Sequence, residues 1–135
     1  MIYLATPFAN TKAKTFEWDQ GKLDSNLRLC KKLEEAGFKI CLPQRDVDQK
    51  MSAEEIVKKE LEIIDNCDCL IAVLSDTRGL YLESGYAKGK GKKIIGVKVS
   101  GMRELSRFTA TFYDAIVETP EELIECLRKL GIQQA

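Results

Sequence analysis

The chain has no histidine among its 135 residues. Acid–base chemistry near neutral pH therefore falls to carboxylates, tyrosine, lysine or cysteine with displaced pKa values. Zinc-dependent, Ser-His-Asp and Cys-His routes are largely closed by the same observation. The stretch GLYLESGYAKGKGKKIIGV, residues 79–97, opens like a helix and closes like a buried strand, with Glu83 in its first turn beside Leu80, Leu82, Gly85 and Tyr86. A first-turn glutamate can simply complement the helix dipole, stabilising by roughly 0.3–1 kcal/mol. Shielded by Leu80 and Tyr86, the same carboxylate could attack an electron-poor carbon. Tyr3 alternates along the first apolar run, and a core or edge role is its plain reading. Glu60, Asp65 and Asp68 fall on or just after the helix preceding the third apolar run, where acidic residues usually face solvent. The GKGKK at 89–93 lies between a helix and its following strand and lacks Walker spacing. It reads as a helix stop with cations complementing the dipole.

These residues need a scaffold, and short apolar runs alternating with helical patterns supply one. MIYLA (1–5) is a strand ended by Thr6-Pro7, followed by a polar stretch that reads as a long loop or irregular helix. From Leu23 to Ala36, Leu27, Leu29, Cys30, Leu33 and Ala36 recur at helical spacing, and Gly37 supplies the stop. FKICLP is the second strand. Ser52 and Glu55 form a capping box for a helix reaching about Asn66. CLIAVL is apolar almost throughout, as a parallel strand buried on both faces should be. KIIGVKV and a short AIVE follow, and Thr119-Pro120 opens a last helix with proline at its first position. The alternation predicts an α/β doubly wound, flavodoxin- or Rossmann-like domain over residues 1–135, with a mostly parallel five-stranded sheet. Ligands of such sheets sit beyond the carboxyl ends of the strands. The candidate binding residues are therefore Thr6-Pro7-Phe8, then Pro43-Gln44-Arg45-Asp46, then Ser75-Asp76-Thr77-Arg78-Gly79, and the segment after Val99. Arg45-Asp46 also suits a plain turn.

Composition narrows the partners. Lys plus Arg equals Asp plus Glu at 21 each, so no net field draws the chain to nucleic acid or a membrane. Its longest apolar run falls far below the ~20 residues of a bilayer span. No basic n-region precedes the first strand, and five cysteines in mostly core-like stretches suit reduced thiols in a cytoplasm. The Cys67-Asp68-Cys69 triplet lacks metal-ligand spacing, so no metal is expected.

Taken in order, IYLATP, LPQRD, KELEIIDNCDCLIAVL and GLYLESGYAKGKGKKIIGV resemble the nucleoside 2-deoxyribosyltransferase family and related nucleotide N-glycoside hydrolases, over roughly residues 1–99. The resemblance implies a reaction at the anomeric carbon of a (deoxy)nucleoside or its 5′-monophosphate, without a cofactor. Glu83 falls on the family's nucleophilic glutamate and Tyr3 on the tyrosine that orients it. Glu60 stands where the family usually carries an aspartate assisting proton transfer to the leaving base, one methylene longer. Ser84 replaces a usual leucine, and Tyr81 replaces a glycine two residues before the nucleophile. Ser106 is the nearest candidate for a residue that contacts the sugar 5′ group from a neighbouring subunit, so a homodimer or larger homo-oligomer is implied. A rival from another class is a nucleotide-sensing module that kept the pocket and lost turnover.

Overall fold

The computed structural model describes residues 1–134. Five strands form one parallel sheet: β1 (Ile2–Ala5), β2 (Ile40–Cys41), β3 (Cys69–Val73), β4 (Lys93–Val97) and β5 (Ala115–Val117), in the order β2-β1-β3-β4-β5. Six helices connect and flank them: α1 (Gln20–Glu35), α2 (Pro43–Asp46), α3 (Ala53–Asp65), α4 (Arg78–Gly89), α5 (Arg107–Thr111) and α6 (Pro120–Lys129). This is the doubly wound α/β arrangement that the alternation of strand and helix patterns predicts.

Period-two alternation divides each central strand between two cores. Ile2 and Leu4 of β1, with Cys69, Ile71 and Val73 of β3, join Leu33, Leu123 and Leu127 on the α1–α6 face. Tyr3 and Ala5, with Leu70 and Ala72, join Ile64, Leu80 and Ala87 on the α3–α4 face. Because β1 and β3 are covered on both sides, their residues are buried without exception. Gly96 in β4 leaves room for Leu74, since a Cβ there would come within 2.9 Å of Leu74 Cδ1.

Helix ends follow their capping residues. Asp19 accepts from Lys22 N and starts α1 three residues before the apolar periodicity suggests. Ser52 accepts from Glu55 N at α3, and Thr119 accepts from Glu122 N ahead of Pro120 at α6. Two further departures from the sequence reading concern edges. The second strand pairs over two residues only, and the expected turn at Arg45-Asp46 is the short helix α2. On α1 the buried stripe runs through Asn26, Cys30 and Leu33, whereas Leu27 is 42% exposed. The stretch after β1 doubles back on itself: Ala9 bridges Trp18, Asn10 N donates to Glu17 O, and Asp19 N donates to Phe8 O. Phe8, Phe16 and Trp18 pack together inside that loop, with centroids 5.1–6.2 Å apart.

Candidate active site

After β1 the chain moves outward to β2 and then crosses back to β3 on the far side of β1. This reversal of direction opens a crevice at the carboxyl ends of β1 and β3. A cavity of about 380 Å³ occupies it. Its walls come from the segment after β1 (Ala5, Thr6, Phe8), from α2 (Pro43, Gln44), from α3 (Val57, Glu60, Leu61) and from α4 and its cap (Thr77, Gly79, Leu80, Leu82, Glu83, Tyr86).

Glu83 is the sixth residue of α4 and no acidic residue occupies that helix's first turn, a correction to the sequence reading. Dipole complementation fades beyond the first turn, so it is not what holds Glu83 in place. Its carboxylate accepts a hydrogen bond from the Tyr3 hydroxyl, eighty residues away in sequence. Tyr3 is fully buried in β1, behind the cavity wall, and its register opposite Leu70 and Cys41 fixes the ring under α4. Burial pushes the Glu83 carboxyl up to about 7; the Tyr3 bond opposes that rise and the charge of Glu60 adds to it. Burial likewise raises Glu60, with the Tyr3 hydroxyl pulling the other way. Burial and the two nearby carboxylates drive the Tyr3 phenol far above its ordinary value, so it remains a donor. Two carboxyl groups in unequal surroundings, one hydroxyl between them and an open cavity in front can divide the roles of nucleophile and proton donor.

The other sequence candidates separate into two groups. Thr6, Phe8, Thr77 and Gly79 line the cavity beside Glu60 and Glu83. Thr77 makes no side-chain cap bond to its helix; its hydroxyl oxygen accepts from Ser75 Oγ. Arg45, Asp46, Asp76 and Ser106 do not line the cavity. Arg45 forks onto Glu34 of α1 and onto Asp46, while Asp46 also accepts from Leu42 N, so both brace α2 against α1. This ion-pair role is the physical reason they are not drawn to the crevice. Asp76 faces solvent, and Ser106 caps α5 by accepting from Thr109 N. Tyr81 points away from the crevice: its hydroxyl donates to Ser75 O, and its ring lines a separate hollow with Phe108 and Tyr113. Ser84, in place of the usual leucine, donates to Leu80 O and accepts from the Tyr113 hydroxyl.

Gln44, one of the residues after the second strand singled out from sequence, does line the cavity wall. Buried Asn26, which bonds to it, was not anticipated from sequence. The available signal was a polar residue on the apolar stripe of α1, three residues after Leu23 and four before Cys30. Among the described residues, no group of three or more His, Cys, Asp or Glu side chains lies together as metal ligands would. No helix of these residues is long and apolar enough to cross a membrane.

Sheet order, crevice and a cavity-wall glutamate bonded to a buried tyrosine define an α/β protein with a switch-point pocket. A family model described as "Nucleoside 2-deoxyribosyltransferase like" matches residues 1–100; the chain belongs to that family. No curated protein matches the sequence. Among solved structures, a conserved protein from Enterococcus faecalis V583 superposes with a TM-score of 0.77 at 18% identity, covering 96% of this chain and 97% of that one. A 2-deoxyribosyltransferase from Bacillus psychrosaccharolyticus gives 0.74 at 20%, covering 91% and 89%. The CMP N-glycosidase BcmB of Clostridium botulinum gives 0.63 at 22%, covering 96% and 98%. These identities establish a shared fold.

Proposed function

We propose that the protein breaks the N-glycosidic bond of a (deoxy)nucleoside or nucleoside 5′-monophosphate through a covalent glycosyl–Glu83 intermediate. The carrying observation is the Glu83 carboxylate on the cavity wall, bonded to the buried Tyr3 hydroxyl. In the first half-reaction a Glu83 oxygen bonds to C1′ as the C1′–N bond breaks. The bond's electron pair leaves with the base, which takes a proton from the Glu60 carboxyl. An anion close to C1′ stabilises the oxocarbenium-like transition state. In the second half-reaction water or another base attacks C1′, Glu83 departs, and Glu60 recovers a proton from the attacking group. Hydrolysis and base exchange thus share one machinery, and the family assignment favours exchange. Phe8 offers a flat apolar wall to a base. The first N–H groups of α4, together with Thr77, offer donors to the oxygen-bearing 5′ end of the sugar.

The reading includes self-association. Val57 and Leu82 at the cavity mouth are 53% and 75% exposed, as a surface covered by a second copy would be in the isolated chain.

The test incubates the protein with 2′-deoxynucleosides, ribonucleosides and their 5′-monophosphates, with and without a second base, and measures released base. A 2-fluorinated substrate, which slows the second half-reaction, should leave a sugar adduct on the peptide carrying Glu83. Glu83→Gln should lose at least three orders of magnitude in rate while still melting cooperatively. Tight binding with no base release by the unmodified protein would favour the sensing module instead.

A further inference from the structure

Four hydrogen-bonding groups behind the cavity form a chain whose polarity has only one solution. Asn26, 3% exposed on α1, donates through Nδ2 to Pro7 O at 2.8 Å and to Gln44 Oε1 at 2.8 Å. Gln44 in turn donates through Nε2 to Leu23 O at 3.2 Å. Both ends of the chain are backbone carbonyls, which only accept. Pro7 O therefore requires the amino group of Asn26 on its side, Asn26 then requires the oxygen of Gln44, and Leu23 O requires the Gln44 amino group. Rotating the Gln44 amide by half a turn would set donor against donor and acceptor against acceptor at both junctions. Buried amides tolerate such mismatches poorly.

Gln44 lines the cavity that holds Glu83. After its internal bonds, one lone pair on Oε1 and one hydrogen on Nε2 remain for a ligand. We propose that Asn26 is a positioning residue for base selection: it locks Gln44 in one amide orientation, so that the cavity meets a nucleobase with a donor and an acceptor in fixed order. The same side chain holds Pro7 O, and with it the start of the loop carrying Phe8, so two walls of the cavity share one anchor. The ligand feature recognised is a base edge with an adjacent donor and acceptor. Amino-bearing bases and their oxo counterparts present that pair in opposite order. This inference rests on the N-glycosidic reading above and concerns which base is accepted.

The experiment compares kcat/KM within pairs of 2′-deoxynucleosides, or of their 5′-monophosphates, that differ only at this edge: cytosine against uracil, and adenine against hypoxanthine. The unmodified protein should favour one member of each pair by roughly tenfold or more, the discrimination a paired amide supplies. In Asn26→Ser, which keeps a single donor, and in Gln44→Met, which keeps the volume and loses the polarity, that ratio should fall toward one. The double variant should show no further fall, since Asn26 acts through Gln44. A merely structural lesion would lower both members of a pair alike and leave the ratio intact. Should Asn26→Ser fold poorly, the isosteric Asn26→Asp, which sets an oxygen where the amino group donated to Gln44, should lower the ratio in its place. Pair ratios near one in the unmodified protein, or unchanged in the variants, would overturn the proposal. Absence of base release from every substrate would instead remove the N-glycosidic reading beneath it.

Discussion

Glu83 holds its proton up to about pH 7 because its carboxyl is buried, and that burial costs stability whenever the group is ionised. The sign follows from linkage. The folded-state value lies above the ordinary 4.5, so this group's contribution is complete below about pH 4.5 and is lost as pH rises through 7. Glu83→Gln should consequently be more stable than the unmodified protein at pH 8, by roughly 3 kcal/mol, and nearly equal to it at pH 4.5. Thermal melts across that range measure the difference. An acid placed for chemistry at the expense of stability shows this pattern, whereas a structural glutamate would destabilise on removal. Activity should show the complementary dependence. In the proposed mechanism attack needs ionised Glu83 and departure of the base needs a protonated Glu60, whose carboxyl burial also holds above its usual range. The kcat/KM profile should therefore be bell-shaped with one limb near pH 7, the limbs belonging to the coupled pair. A profile flat from pH 5 to 9 would remove ionisation of this pair from the mechanism.

Helix α4 brings Glu83 to the crevice on one side and ties itself to the segment after α5 on the other, through Ser84. The Tyr113 hydroxyl donates to Ser84 Oγ at 3.0 Å, and both residues are buried. Ser84→Leu would strand that hydroxyl and overfill the site, lowering stability by about 2–3 kcal/mol in denaturant melts. Tyr113→Phe made in the Ser84→Leu background should recover part of the loss. Independent, additive costs would show that the bond does not couple the two elements. A serine in a leucine position was visible in the sequence; its partner 29 residues on was not, because only folding brings the α5 segment against α4. The same distinction runs through the site. β1, β3 and α4 declare themselves by period and length, so the crevice and the carboxylate beside it were legible. Tyr3 and Glu60 were singled out because their types and order resemble a family pattern, and both lie beside Glu83. Arg45 and Asp46 misled, since Glu34, which neutralises Arg45, lies eleven residues away on another helix. Asn26 escaped notice for a related reason: its significance is a bond to Gln44 on another helix, and a helical wheel shows only which face it occupies.

At the scale of the whole molecule the cavity mouth is unfinished. Val57 and Leu82 line it and remain largely exposed, and three residues beyond Leu82, Gly85 sits with Phe108 beside a second hollow, where Phe108 is 75% exposed. Extended apolar surface of this kind is rare on stable monomers. Charge does not oppose association, because 21 acidic and 21 basic residues leave no net repulsion between copies. Light scattering at micromolar concentration should return a multiple of the 15.2 kDa chain mass. Leu82→Lys should shift the mass toward one chain, because burying an unpaired ammonium costs far more than the leucine contact provides. If a second copy closes the cavity, the same change should raise KM in step with dissociation, and raising protein concentration should recover both together. A monomeric mass for the unmodified protein, with turnover per chain independent of concentration, would mean that the crevice works open and that its apolar rim serves the substrate.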